Sequence, residues 1–199
     1  MRPLLLIGIT VLLLCTAGCT SHIGKRINDC NTSETTVPQQ NATQEAKTEQ
    51  AVPLIANAPS GTSILIRKSE FRLYLLVNGN VVQSWPIALG KNAGQKEVVG
   101  DMKTPNGSFP VDEVLGSSDW THDFGDGKGE IAGAYGPYFI SLDTSTLSGG
   151  AWDGIGIHGT HDPASIGTRA SEGCIRMNNE DLCALKEHVN VGMQVTIEE

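Results

Sequence analysis

Two short strings carry side chains capable of covalent chemistry. Ile155-Gly156-Ile157-His158-Gly159-Thr160 ends an apolar run on a histidine. Ten residues later, Ser171-Glu172-Gly173-Cys174-Ile175-Arg176-Met177 sets a cysteine between a glycine and an arginine-bearing strand. A thiolate paired with an imidazole is an acyl-transfer nucleophile, and both halves are present. Gly173 allows close backbone approach, so the N–H groups of Gly173 and Cys174 could face a tetrahedral oxyanion. Arg176 stands two residues beyond the cysteine; in an extended run it points to the same side as the thiol. There it could lower the thiol pKa or hold a carboxylate through two hydrogen bonds. The residue types alone also fit a small thiol buried in a core, a Cys174–Cys183 disulfide, or a structural histidine.

Other chemistry fits less well. Gly90-Lys91-Asn92-Ala93-Gly94-Gln95-Lys96 has the wrong glycine spacing for a phosphate loop and no Ser or Thr after the lysine. His158, His161 and Cys174 lack a two-by-two zinc frame. Asp123 to Glu130 lacks the spacing of an EF-hand, so a solvated loop is expected and no metal. The formal charge is −8, which opposes non-specific nucleic-acid binding.

Elements must position these strings. Alternation and β-branched content predict strands at 62–67, 71–77, 81–89, 108–114, 137–142, 154–158 and 193–198. Asn78-Gly79 is a hairpin turn signal. One segment, Asn178 to Val189, reads as a helix, with Asn178 or Asn179 as cap, acids in its first turn, and Leu182, Leu185 and Val189 on one face. The reading is a mainly β fold, a sandwich or barrel-like stack of sheet, with one packed α-helix. Thirteen of the 23 glycines fall between Gly116 and Gly173, and residues 112–130 carry six acids against one lysine. Such a stretch predicts a functional loop or lid over the site.

Taken together, the strings resemble the L,D-transpeptidase catalytic domain of the YkuD type. The likeness rests on IHGT, S-x-GCIRM, the Asn-Asn-Glu-Asp-Leu helix and the final strand, with Thr104-Pro105-Asn106-Gly107-Ser108-Phe109 and Tyr135-Gly136-Pro137 upstream. It covers about residues 62–198. The resemblance implies a β-sandwich with a glycine-rich lid, Cys174 as nucleophile and His158 as base. It implies that the Gly159 carbonyl orients His158, that Gly173 supplies an oxyanion N–H, and that Arg176, Ser171, Thr160 and Tyr135 meet the substrate. No metal or organic cofactor is required. Many members carry His where this chain has Glu172, a carboxylate that should oppose thiolate formation.

The implied substrate is a peptidoglycan tetrapeptide stem. Acyl-enzyme forms at meso-diaminopimelate, D-alanine leaves, and an amine of a second stem or of a wall-attached protein takes the acyl group. Carbapenems should acylate the same cysteine. The alternatives are an L,D-carboxypeptidase or amide hydrolase on the same substrate, and a non-catalytic peptidoglycan-binding lipoprotein.

The N-terminus fits such a place of work. Arg2, the apolar run Pro3–Leu14 and the small residues before Cys19 read as a signal peptide over residues 1–18, and the run is too short to span a bilayer comfortably. The segment resembles a bacterial lipobox, which implies lipid on Cys19, with Thr16 where Leu is usual. Thr20 follows, not Asp, which favours the outer membrane over the inner, at the periplasmic face. Residues 19–60 are polar and aperiodic, a tether reaching on the order of 35 Å as a flexible coil. Residues 61–199 form the catalytic domain. Of five cysteines, Cys15 leaves with the signal, Cys30 lies in the tether, and Cys183 is expected as a buried free thiol.

Overall fold

In the computed structural model, which describes residues 60–125 and 127–199, alternating apolar residues build one curled sheet. The chain runs β1 (Thr62–Arg67), β2 (Arg72–Val77), β3 (Asn80–Pro86), β4 (Leu89–Gly90), β5 (Gly107–Gly116), β6 (Thr121–Asp123), β7 (Glu130–Ala132) and β8 (Tyr138–Leu142). It continues through α1 (Ser145–Ser148), β9 (Gly156–His158), β10 (Arg169–Ser171), β11 (Ile175–Arg176), α2 (Asn179–Lys186) and β12 (Gln194–Glu198). Eight strands share one sheet in the order β11-β9-β8-β5-β12-β1-β2-β3, and β10–β4 and β6–β7 form two small ribbons. The fold is mainly β, with few helical residues.

Register follows the period-two pattern. Ile64 faces Val195 and Leu75 across its neighbours, and Ile66 faces Ile197 and Leu73, all within the core. Sliding any of these strands by one residue would turn the apolar set to solvent. Asn78 and Gly79 both take positive φ, 51° and 79°, as the two-residue hairpin turn requires. Helix α2 buries Leu182 and Leu185 completely, each worth about 2 kcal/mol of transfer free energy, and packs near β8. Among the described residues no helix is long and apolar enough to cross a membrane.

Four expectations need correction. The return strand foreseen at 81–89 breaks at Pro86, which lacks an N–H donor; Leu89–Gly90 then pairs with Arg169–Ser171 instead. The helix stops at Lys186, and its last residues close in tight turns, His188 N to Leu185 O and Val189 N to Lys186 O. It is also not alone: α1 makes one turn, and Pro163–Ser165 forms a 3-10 turn. Cys183 is disulfide-bonded rather than a free thiol, while Cys174 is free, which rules out the bridge between them. Neighbouring apolar residues indicate burial, and burial does not distinguish a thiol from a half-cystine. The signal segment, Cys19, Cys30 and the tether lie outside the described residues.

Candidate active site

The sheet brings the two reactive strings side by side. β11 pairs with β9 in parallel, setting Arg176 opposite His158 and Ile175 opposite Ile157. β9 pairs with β8 on its other edge, setting Phe139 opposite His158. Arg176, His158 and Phe139 therefore form one row across the sheet. The rings of Phe139 and His158 stack at 5.6 Å with 9° between planes, and Tyr135 meets His158 edge-on at 4.9 Å.

Gly159 orients the imidazole. His158 Nδ1 lies 2.7 Å from the Gly159 carbonyl oxygen. A carbonyl only accepts, so Nδ1 carries the proton and Nε2 keeps its lone pair. His158 is 3% exposed, and burial drives its pKa down to about 3, helped by Arg176, His122 and His161 and opposed by the Gly159 bond. At neutral pH it is an uncharged base. Position 159 must be glycine for steric reasons: a Cβ there would sit 2.2 Å from Asn179 Oδ1 and 2.9 Å from Gly136 Cα. Asn179 in turn accepts a hydrogen bond from Thr160 N at 2.8 Å, which joins the start of α2 to the histidine loop.

Cys174 is half-buried at the wall of a cavity of about 650 Å³, lined also by Lys96, Trp120, Tyr135, Trp152, Asp153, Gly154 and Glu172. Its thiol donates to the Gly154 carbonyl at 3.1 Å. Desolvation pushes the thiol pKa up to about 11; a Gly156 backbone hydrogen bond, Arg176 and Lys96 pull it down, and Glu172 adds to the rise. The resting site thus holds a neutral thiol and a neutral imidazole.

The other anticipated residues separate into two groups. Tyr135 lines the cavity and its hydroxyl lies 3.1 Å from His122 Nδ1; burial, with the nearby Cys174 and Glu172, raises its pKa. Ser171 is buried and ties the Cys174 loop, donating to the Cys174 carbonyl at 2.5 Å and accepting from Gly173 N at 3.2 Å. The Gly173 N–H is therefore engaged within the loop in this resting state. Thr160 is buried and committed to its own turn through Asp162, and it does not line the cavity.

The glycine-rich lid is a hairpin, β6–β7, not a featureless loop. Its His122 Nε2 lies 3.1 Å from Glu172 Oε2, and its Phe124 ring sits over Arg176. Neither residue was singled out from sequence, where the acid run around them drew the attention; the aromatic at every second position from Trp120 was the available signal. Asp123 caps the hairpin turn by accepting from Gly125 N at 2.9 Å, and Asp126 lies outside the described residues. The opposite wall is pinned by Lys96, 4% exposed, whose ammonium meets Asp101 at 2.8 Å and the Trp152 ring at 5.8 Å.

Comparisons with known proteins bear on the family and the fold. Residues 61–197 match the YkuD family model, described as an L,D-transpeptidase catalytic domain. A Bacillus subtilis (strain 168) protein described as "Putative L,D-transpeptidase YkuD" is 34% identical over 125 residues, 63% of this chain and 58% of that protein. An Escherichia coli (strain K12) protein described as "Probable L,D-transpeptidase YcfS" is 29% identical over 158 residues, 72% of this chain and 46% of that protein. The match thus spans roughly half of each of these two relatives. Among solved structures, an L,D-transpeptidase from Mycobacterium smegmatis superposes with a TM-score of 0.51 at 17% identity, over 70% of this chain and 59% of that one; the likeness is one of fold.

Proposed function

The chain belongs to the YkuD family of L,D-transpeptidase catalytic domains, and we propose that it transfers peptidoglycan stem peptides through an acyl-enzyme on Cys174. One observation carries the reading: the Gly159 carbonyl holds the Nδ1 proton of His158 at 2.7 Å, leaving Nε2 as a bare base on the strand that pairs with the one directly following the free thiol.

The sulfur attacks the diaminopimelate carbonyl that is bonded to the terminal D-alanine of a tetrapeptide stem. His158 Nε2 takes the thiol proton as the S–C bond forms, so no free thiolate has to exist beforehand. The N–H of Cys174, joined by that of Gly173 once it turns from Ser171, holds the oxyanion. The C–N bond breaks, His158 returns the proton to the leaving nitrogen, and D-alanine departs from a thioester. An amine of a second stem, or of a wall-attached protein, then attacks the thioester carbonyl and gives its proton to His158. The sulfur leaves and recovers that proton. One amide replaces another, which needs no external energy source and no cofactor.

The N-terminal reading supplies the location. Residues 1–18 direct export, lipid on Cys19 holds the chain at the periplasmic face of the outer membrane, and residues 19–60 tether the domain of residues 61–199. A tethered enzyme facing a fixed polymer works at a raised effective concentration.

The test is to incubate the purified protein with disaccharide tetrapeptides and follow the products by mass spectrometry. Dimers that have gained one cross-link and lost one D-alanine are expected. Monomers that only lose D-alanine indicate a carboxypeptidase. Sacculus binding without any product, equal in Cys174→Ala, indicates a binding lipoprotein.

A further inference from the structure

Arg176 is a buried cation without a partner. It is 5% exposed, its Nε has no hydrogen-bond partner, and among the described residues its guanidinium makes no ion pair. The carboxylates of Asp162 and Glu172 are near enough to favour its charge but do not bond it, and Glu172 is occupied by His122. What covers it is an aromatic ring: the Arg176 guanidinium carbon lies 5.0 Å from the centroid of Phe124. Burying a guanidinium under a ring face with its Nε–H unpaired is unfavourable for the folded state. Such an arrangement persists where a ligand supplies the missing anion.

We infer that Arg176 is the anchor of a carboxylate subsite, closed at rest by Phe124, and that the ligand is the C-terminal carboxylate of the residue released from the stem. The inference rests on the transfer reaction proposed above. Strand register places the anchor: Arg176 lies beside His158 on one sheet face and two residues from Cys174. A carboxylate held there sits one amino acid away from the bond that the sulfur attacks. The guanidinium fork matches a carboxylate in two parallel hydrogen bonds, which an amide or ester terminus cannot form.

The cover is suited to removal. Phe124 is half-buried at the tip side of the short β6–β7 hairpin, against the rings of His122 at 4.4 Å and His161 at 5.0 Å. His122 is also the residue that joins the hairpin to Glu172 on the nucleophile loop. A stem carboxylate that reaches Arg176 takes the place of the ring, and the hairpin shifts with it.

Two measurements test this. Labelling with phenylglyoxal, resolved by peptide mass spectrometry, reads Arg176 without any turnover. The Arg176 peptide is expected to label slowly in the native protein and at least about tenfold faster in Phe124→Ala, with Arg72 labelling unchanged in both. Equal Arg176 rates in the two proteins overturn the covered site. The second compares tetrapeptide stems ending in D-alanine or in D-alaninamide. The native protein is expected to favour the acid by about 100-fold in kcat/KM, the range of a charged hydrogen-bonded pair. Arg176→Gln should bring the two within about threefold, through loss of the acid alone, and Arg176→Lys should restore part of the preference. Equal loss on acid and amide, with the preference kept, overturns carboxylate recognition. Labelling as expected with no turnover on either stem leaves the subsite standing and contradicts the transfer reaction.

Discussion

Glu172 Oε2 lies 3.1 Å from His122 Nε2, so the residue two before the free thiol is joined to the hairpin that roofs the site. Glu172 is a carboxylate whose charge raises the Cys174 pKa and whose partner comes from the lid. One side chain thus bears on both the reactivity of the sulfur and the closure above it.

Removing that charge should make the thiol more reactive. Glu172→Gln leaves the side chain's shape and takes away a negative charge that raises the Cys174 pKa. Alkylation of Cys174 by iodoacetamide at pH 8 is expected to run about threefold faster in the variant, because a larger share of the thiol is ionised. A slower rate means that lost lid contact, not charge, governs the sulfur.

Stability should fall at both ends of the pH range, for separate reasons. The folded His158 value of about 3 lies below the ordinary 6.5, so between them the unfolded chain binds a proton that the folded chain refuses. Stability then declines as pH drops through that window, at about 1.4 kcal/mol per unit. The folded Cys174 value of about 11 lies above 9.0, so between them the unfolded chain has lost a proton that the folded chain keeps. Stability declines there as pH rises. Urea titrations at a series of pH values are expected to show the acid slope reduced in His158→Gln and the alkaline slope reduced in Cys174→Ala. Unchanged slopes in both variants would sink this assignment.

The wall opposite the lid depends on one ion pair. Asp101 accepts from the Lys96 ammonium at 2.8 Å and from the backbone N–H groups of Glu97, Val98 and Lys103, which hold its carboxyl well below the usual range. Asp101→Asn strands the Lys96 charge at 4% exposure and should cost about 3 kcal/mol in chemical denaturation. A loss under 1 kcal/mol would mean that water reaches the lysine.

Gly159→Ala tests the histidine clamp. The new methyl would meet Asn179 Oδ1 at 2.2 Å, so either the Asn179–Thr160 bond or the His158–Gly159 bond must give way. Turnover is expected to fall at least about tenfold while circular dichroism keeps the β signature. Full activity would show that the carbonyl is not what orients the imidazole.

The legible parts of this protein were those in which one residue type has one physical use. Alternating Ile64, Ile66, Leu73 and Leu75 can only face a core, and Asn78-Gly79 can only turn a hairpin, so these strands appear almost residue for residue. The family was recognisable from the spacing of His158, Gly159 and Cys174, and its model covers residues 61–197. The lid was not legible in the same way. Its strands are three residues each, too short for a period, and its acids disguised His122 and Phe124, whose partners Glu172 and Arg176 lie 50 residues away or more. The hydroxyl of Thr160 closes a local turn, a use that a motif does not reveal. Cys183, half-buried on its helix, shows that a cysteine among apolar neighbours carries no sign of its pairing.

The most direct measurement is the intact mass of the purified protein during reaction with a disaccharide tetrapeptide. A covalent adduct equal to the stem less D-alanine should appear on Cys174, mapped by peptide fragmentation, and should discharge into a cross-linked dimer when a second stem is added. Cys174→Ala should show neither species. Dimer formation by Cys174→Ala, or an adduct on any residue other than Cys174, would contradict acyl transfer through this thiol.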